Sequence, residues 1–479
     1  MGVLAAPFKK PNLRRIPLRQ TALLTALALL AAPLGAAAAE ALKVPFEYHK
    51  LDNGLKVVLS KDTTAPTATV TVYYNIGFRI EPKGRTGFAH LFEHLMFQGS
   101  NNLGKMEFVK LIQKNGGVMN GSTRFDFTNY YQVVPANTVE TVLWAEADRM
   151  KGLAIDKDNL VNQQGVVKNE VKVNVLNQPY GGFPWIDMPM TANTNWYNAH
   201  NFYGDLAELD AATLEDAKKF FETYYAPNNA AVVVSGDIDT AQTLNWIKKY
   251  FGSIKASALP PRPDISEPRQ EQEKRAVKEY LEAPRPAIAV AYHAPKRMTA
   301  EYFAMGLIDQ ILLQGKDSRL YQALVQEKGY TDDVMGGINA DLGNLFDING
   351  PTAFQAYLFH DKTTPPAAIL DAFDAEVEKL RTTPIDKATL DLAKVKARSW
   401  LYGQMEDFFG FGRANLLASF ALFDDDPGKI NSLEAEFEKV TPELIMKTAQ
   451  EYLRKTNRTI LTVPGKPEAP KVQKPGVGI

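Results

Sequence analysis

The strongest constraint on how this chain folds is that it repeats itself. Residues 220–236 read FFETYYAPNNAAVVVSG, and residues 449–465 read AQEYLRKTNRTILTVPG. Each run is a helix end, an asparagine turn and a valine-type strand that closes on glycine. A second pair, HLFEHLMFQGS at 90–100 and GLIDQILLQGK at 306–316, returns in the same order. The offsets, 229 and 216 residues, are close. Two echoes in one order predict a duplicated α+β unit. In the second echo His90, Glu93 and His94 fall opposite Gly306, Asp309 and Gln310, so only the first copy carries the polar triad.

The local signals fit two such units. Phe46–Leu51, the Asp52-Asn53-Gly54 turn and Leu55–Ser60 read as a hairpin, and the Thr/Val-rich run Thr67–Tyr74 as a strand. Helical patterns occupy 86–98, 104–115, 137–151, 157–175 and about 240–251. A stretch rich in proline and charge, 256–275, reads as a surface linker. The expected organisation is a first domain over 40–255, that linker, and a homologous second domain over 276–479.

Residues 1–39 precede both units. Lys9, Lys10, Arg14, Arg15 and Arg19 come first without an acid, then an apolar stretch from Ala22, then small residues to Ala39. This is the layout of a secretory signal peptide cleaved near Ala39. The apolar core is too short for a membrane span, which needs about 20 residues. The expected product is exported, most simply periplasmic, with no membrane attachment after cleavage. The full chain has 54 basic and 55 acidic residues. A near-neutral balance excludes nucleic-acid binding driven by bulk charge. The chain has no cysteine, which excludes disulfides, thiolate zinc sites and iron–sulfur clusters. A metal site here must use histidine, carboxylate or water.

The segment from Thr86 to Phe97 supplies the candidate. Phe88, Leu91, Phe92, Leu95 and Met96 fall on one helical stripe, and His90, Glu93, His94 and Phe97 on the other. Thr86 is placed to cap the helix. Histidines at i and i+4 are one turn apart and reach one ion, and their imidazoles suit Zn²⁺. Glu93 lies beside His94, close enough to hold a water without itself ligating. A catalytic zinc also needs a third protein ligand. Spacing alone does not choose it from the many acids. Outside this segment, His49, His200, His293 and His360 read as structural, and the Glu146/Asp148/Arg149 set on one helix as packed or solvated.

His90-x-x-Glu93-His94 is the inverted zincin motif, and the chain around it resembles the pitrilysin family, which includes insulin-degrading enzyme and the mitochondrial processing peptidases. The resemblance runs over roughly 44–465 and lies nearest the bacterial processing-peptidase-like members. It implies two α+β domains, each a mainly antiparallel sheet covered by helices, facing each other as a clamshell. It also implies a third zinc ligand about 75 residues on. Gly165–Glu170 resembles that segment and makes Glu170 the ligand, with Val167 and Val171 packing inward. Residues 116–130 resemble the strand to which a substrate peptide adds, so Asn120, Gly121 and Thr123 become candidate substrate-binding residues. The implied activity is zinc-dependent endopeptidase cleavage of peptides or unfolded polypeptides, with Glu93 as general base.

Two departures qualify this. Many relatives carry a supporting glutamate seven residues before the ligand glutamate, and here Gln163 stands there. Active relatives also carry in the second half an arginine and, seven residues later, a tyrosine. In the matching stretch those positions hold Val325 and Asp332, with Arg319, Tyr321 and Tyr330 nearby. The expectation is therefore the zinc-bearing subunit of a heterodimer whose homologous partner supplies the Arg/Tyr pair. The alternative is a non-hydrolytic peptide-binding or scaffold subunit of the same fold.

Overall fold

The computed structural model describes residues 43–466; the signal peptide expected at 1–39 lies outside them. Two sheets organise the described chain. The first is built from β1 (Glu47–Lys50), β2 (Lys56–Lys61), β3 (Thr67–Tyr74), β4 (Val118–Thr123), β5 (Thr128–Pro135) and β6 (Ala230–Gly236), in the order β1-β2-β6-β3-β5-β4. The second is built from β7 (Lys274–Val277), β8 (Ala287–His293), β9 (Met335–Ile338), β10 (Ala353–Phe359) and β11 (Arg458–Val463), in the order β7-β11-β8-β10-β9.

The pairing pattern makes the duplication physical. In the first sheet only β2 and β6 run parallel, and in the second only β7 and β11. The remaining pairs are antiparallel. Laid over each other, β6 corresponds to β11 and β4 to β9. The first pair carries the echo at 220–236 and 449–465. The second pair forms an edge of each sheet.

The helices that matter for the site are α1 (Phe88–Leu95), α2 (Glu107–Lys114), α3 (Val139–Lys151), α4 (Lys157–Val171), α5 (Thr240–Phe251), α6 (Ala300–Leu312) and α7 (Lys387–Asp424). The helix periods place these well, the ends less so. The pattern at 157–175 ends as α4 at Val171 and continues as one wider turn, Lys172–Leu176. Such wide turns recur at functional sites, and this one begins two residues after Glu170.

Strand β3 shows why the sheet is buried on both faces. Val70, Val72 and Tyr74 join the core formed with α1 and α3, while Tyr73 on the other face joins the core of the second half. The cover on that other face is α7. Its C-terminal half lies against β2, β3 and β6. There Lys56 Nζ donates to the Ala421 carbonyl at 2.8 Å, and Tyr73 bonds Asn415.

The stretch expected as a linker has no helix or strand until Lys274 and Arg275 enter β7. It is not loose. The Glu267 carboxylate accepts from the Asn195 backbone N–H and from Asn198 Nδ2 at 2.9 Å, and Asn195 Nδ2 donates to the Asp264 carbonyl. The composition correctly placed this segment at the surface, but these bonds pin it along the first half. Among the described residues no helix is long and apolar enough to cross a membrane.

Candidate metal centre

Helix α1 is held at its N-terminus by an acid from the preceding loop, Glu81. Glu81 is fully buried and accepts from the backbone N–H groups of Gly87 (2.8 Å) and Ala89 (2.6 Å), two donors that lack an intrahelical acceptor. Thr86 does not cap the helix. Its hydroxyl donates to Glu208 and accepts from the Asp205 N–H. Gly87 itself takes the N-cap position with φ of 84°, and a Cβ there would come within 2.5 Å of the Tyr203 carbonyl. Only glycine fits both demands.

The apolar stripe then fixes the rotation of α1. Phe88, Leu91, Phe92, Leu95 and Met96 are all at most 1% exposed. This turns His90 and His94 toward α4, with their rings 4.8 Å apart. On α4, Val167 and Val171 are buried and aim Glu170 at the same point. His94 Nε2 lies 3.2 Å from Glu170 Oε2, and His90 Nε2 lies 3.6 Å from Glu170 Oε1. One ligand atom from each of the three falls within 4.8 Å of the others. Ligands at about 2.0–2.1 Å in a tetrahedral site stand a little over 3 Å apart, so these separations fit a zinc ion. Two imidazoles and one carboxylate are also the donor set that such an ion takes at a catalytic site.

The electrostatics agree. Burial, with the neighbouring His94, pushes His90 down to about 4, so its imidazole is neutral and free to ligate. The hydrogen bond from His94 holds Glu170 below the usual carboxylate range. Burial pushes Glu93 up, against the pull of a 2.7 Å hydrogen bond donated by the Thr123 hydroxyl. His90 Nδ1 is buried without a partner; ligating histidines usually donate that second N–H.

The strand residues divide by face. Gly121 and Thr123 lie against Glu93, and a Cβ on Gly121 would sit 3.1 Å from Glu93 Cγ. Asn120 points to the opposite, exposed face, where its Oδ1 accepts from the Gly121 N–H. Strand β4 is an edge, with one side unpaired in the sheet order. Gln163 is buried two turns before Glu170 and donates to Asn162 at 2.7 Å, not to the cluster. Val325 packs against the core of the second half, and Asp332 pairs with Arg285 at 2.6 Å. The Glu146/Asp148/Arg149 set is packed rather than solvated, each member at most 5% exposed.

One contact had no signal in the sequence. Tyr203 donates its hydroxyl to Glu170 Oε1 at 3.2 Å, and its ring meets the His90 ring edge-on at 5.0 Å. It comes from a loop 33 residues beyond Glu170, so no periodicity could place it. Tyr203→Phe is expected to lower zinc affinity about tenfold, the usual scale for losing a bond that orients a ligand. Competition with a chromophoric chelator measures this, and an unchanged affinity would refute the role.

Comparison with known proteins now places the chain. Residues 56–181 match the family model described as Insulinase (Peptidase family M16), and residues 211–396 match the Peptidase M16 inactive domain. The chain is similar to the zinc protease PqqE of Helicobacter pylori, 27% identical over 419 residues, covering 86% of this chain and 91% of that protein. The crystal structure of a protease from Helicobacter pylori superposes with a TM-score of 0.81 at 27% identity, covering 89% of this chain and 100% of that one. The first half of the periplasmic protease PqqL from Escherichia coli shares the fold, with a TM-score of 0.71 at 17% identity, over 88% of this chain and 93% of that one.

The two sheets with their helices are the two-domain α+β fold of M16 peptidases. The two matched models span well over half of the sequence between them, and the chain belongs to the M16 family, the insulinase or pitrilysin type. His90, Glu93, His94 and Glu170 all fall within the insulinase match, and the inactive-domain match begins after them.

Proposed function

We propose that this protein is an exported zinc-dependent endopeptidase acting on peptides or unfolded polypeptides, as the zinc-bearing subunit of a heterodimer. The carrying observation is the convergence of His90, His94 and Glu170 beside a Glu93 that is anchored to an edge strand. His90, His94 and Glu170 would hold the ion, which supplies the charge that polarises a scissile carbonyl and acidifies water. Glu93 does the proton work. Its carboxylate, held by Thr123, would take a proton from the attacking water and pass it to the leaving amine. Burial raises Glu93 toward the working pH, where a base is most effective. The free side of β4 would take the substrate backbone as an added strand, which tolerates many side chains.

The two domains would cover 40–255 and 276–479, with residues 1–39 as a cleaved signal. The exported location rests on that N-terminal layout and on the likeness to the periplasmic PqqL. The partner is inferred from Val325 and Asp332, which stand where active relatives carry an arginine and a tyrosine. Neither can donate to an oxyanion as those residues do. The same pair, with Gln163, supports the second reading, a peptide-binding or scaffold subunit. Against it, a scaffold has no need of Glu93.

Zinc content and peptidase activity decide between them, measured with and without a chelator and with and without a homologous M16 chain bearing the Arg/Tyr pair. The expected result is about one zinc per chain and chelator-sensitive cleavage that needs the partner. Full activity of the lone chain would overturn the heterodimer, and zinc without cleavage in any combination would favour the scaffold.

A further inference from the structure

A groove of about 690 Å³ lies on the face of the first sheet turned away from Glu93. Its floor is one cross-strand row. Val118 on β4 pairs with Val133 on β5, Val133 with Thr69 on β3, and Thr69 with Ser235 on β6. Side chains directly opposite one another in a sheet share a face, so the four form a continuous strip. Helix α7 roofs it with Met405, Glu406, Gly410 and Arg413. The helix is irregular there. Phe408 and Gly410 take φ of 45° and 89°, and a Cβ on Gly410 would meet nothing within 4 Å. The Arg413–Asp62 ion pair closes the inner end beside Gly236. The outer end opens at the free edge of β4, where Gly116 and Val118 are exposed.

We infer that this groove is a specificity subsite that takes a large apolar or aromatic side chain of the peptide added to β4. The inference rests on the peptidase reading and deepens it. A residue opposite Val118 on an added strand becomes the next member of the Val118–Val133–Thr69–Ser235 row. Its side chain must then point to the same face, at the mouth of the groove. The occupant is fixed by continuity with that strand and by the lining, in which Val118, Val133, Pro135 and Met405 supply apolar walls. Gly121, the strand residue against Glu93, is three positions away, about 10 Å along β4. The subsite therefore reads a residue about three positions from the bond being cut, on the opposite face of the substrate strand. Selectivity there leaves the residues flanking the cut free to vary.

The test measures binding to the full-length, zinc-loaded Glu93→Gln variant, which holds peptides without cutting them. A ten-residue polyalanine-based peptide with soluble ends is made as a series, with one tryptophan walked through every position. Fluorescence anisotropy gives each Kd. One register is expected to bind at least tenfold more tightly than the all-alanine parent. Adding Val118→Arg at the mouth, or separately Glu406→Trp in the roof, brings that ratio close to one. Both sites are at the surface, so the fold is expected to survive. Equal affinity across the series, or a preference that neither substitution changes, would overturn the subsite while leaving the peptidase reading intact. Failure of every peptide to bind, with the homologous Arg/Tyr-bearing chain added as well as without it, would overturn both.

Discussion

Glu93→Gln is expected to abolish peptide cleavage while the protein still binds one zinc ion. The amide keeps an oxygen that accepts the Thr123 hydroxyl, now at 2.7 Å from the carboxylate, so the side chain stays in place. It cannot take a proton from water. General bases contribute about 10²–10⁴-fold to rate, and the loss is expected at the upper end because no other carboxylate lies on this face of α1. His94→Ala behaves differently. It removes one of the three converging ligand atoms, so metal and activity fall together. Atomic absorption on the purified variants, beside a fluorogenic peptide assay with the homologous partner chain present, separates the two patterns. Retained turnover in Glu93→Gln would refute the base, and retained zinc in His94→Ala would refute the ligand set.

The contrast between these variants reflects what local sequence encodes. The 3.6-residue period put Phe88, Leu91 and Phe92 inward and so turned His90 and His94 to a common side. That reasoning needs only residues within two turns of each other, and it placed the burial correctly. The duplication was legible for a similar reason. The valine-type strand after an asparagine turn is a local pattern, and both copies became the corresponding strands β6 and β11. Glu170 was different, because spacing left many acids open and the choice came from resemblance.

What escaped the sequence is held by side-chain contacts between different elements and loops. Thr86 looked like the N-cap of α1, but Gly87 takes that position and Glu81 satisfies the N–H groups from outside the helix. Tyr203 reaches Glu170 from a loop. The Thr123 hydroxyl is committed to Glu93 on another element, a bond its strand position does not reveal. The 256–275 segment has the composition of a mobile linker, yet Glu267 ties it to Asn195 and Asn198. In each case a polar side chain satisfies a backbone or carboxyl group outside its own helix or strand, and no periodicity records that.

The buried Arg149 illustrates the same point through stability, where the expected effect is also large. A helix carrying Glu146, Asp148 and Arg149 reads as partly solvated because exposed charge is the rule. Here Glu146 is fully buried and Arg149 is 1% exposed, in direct contact with each other. Gln132 Nε2 also donates to Glu146 at 2.6 Å, and the guanidinium stacks 3.8 Å above the Phe108 ring. Arg149 Nη1 reaches the Met96 carbonyl at 3.3 Å, at the C-terminus of the helix that carries the histidines. Arg149→Met leaves Glu146 without its counter-charge inside the core, and burial already pushes that carboxyl up. Breaking such a pair costs about 3–5 kcal/mol. Arg149→Met with Glu146→Gln removes both charges and keeps the Gln132 partner, so most of the loss returns. Urea unfolding of the zinc-free proteins measures both changes without contribution from the metal. If the single variant loses less than about 1 kcal/mol, the buried charge pair does not stabilise the fold, and if the double loses as much as the single, the loss comes from Arg149 packing against Phe108 instead.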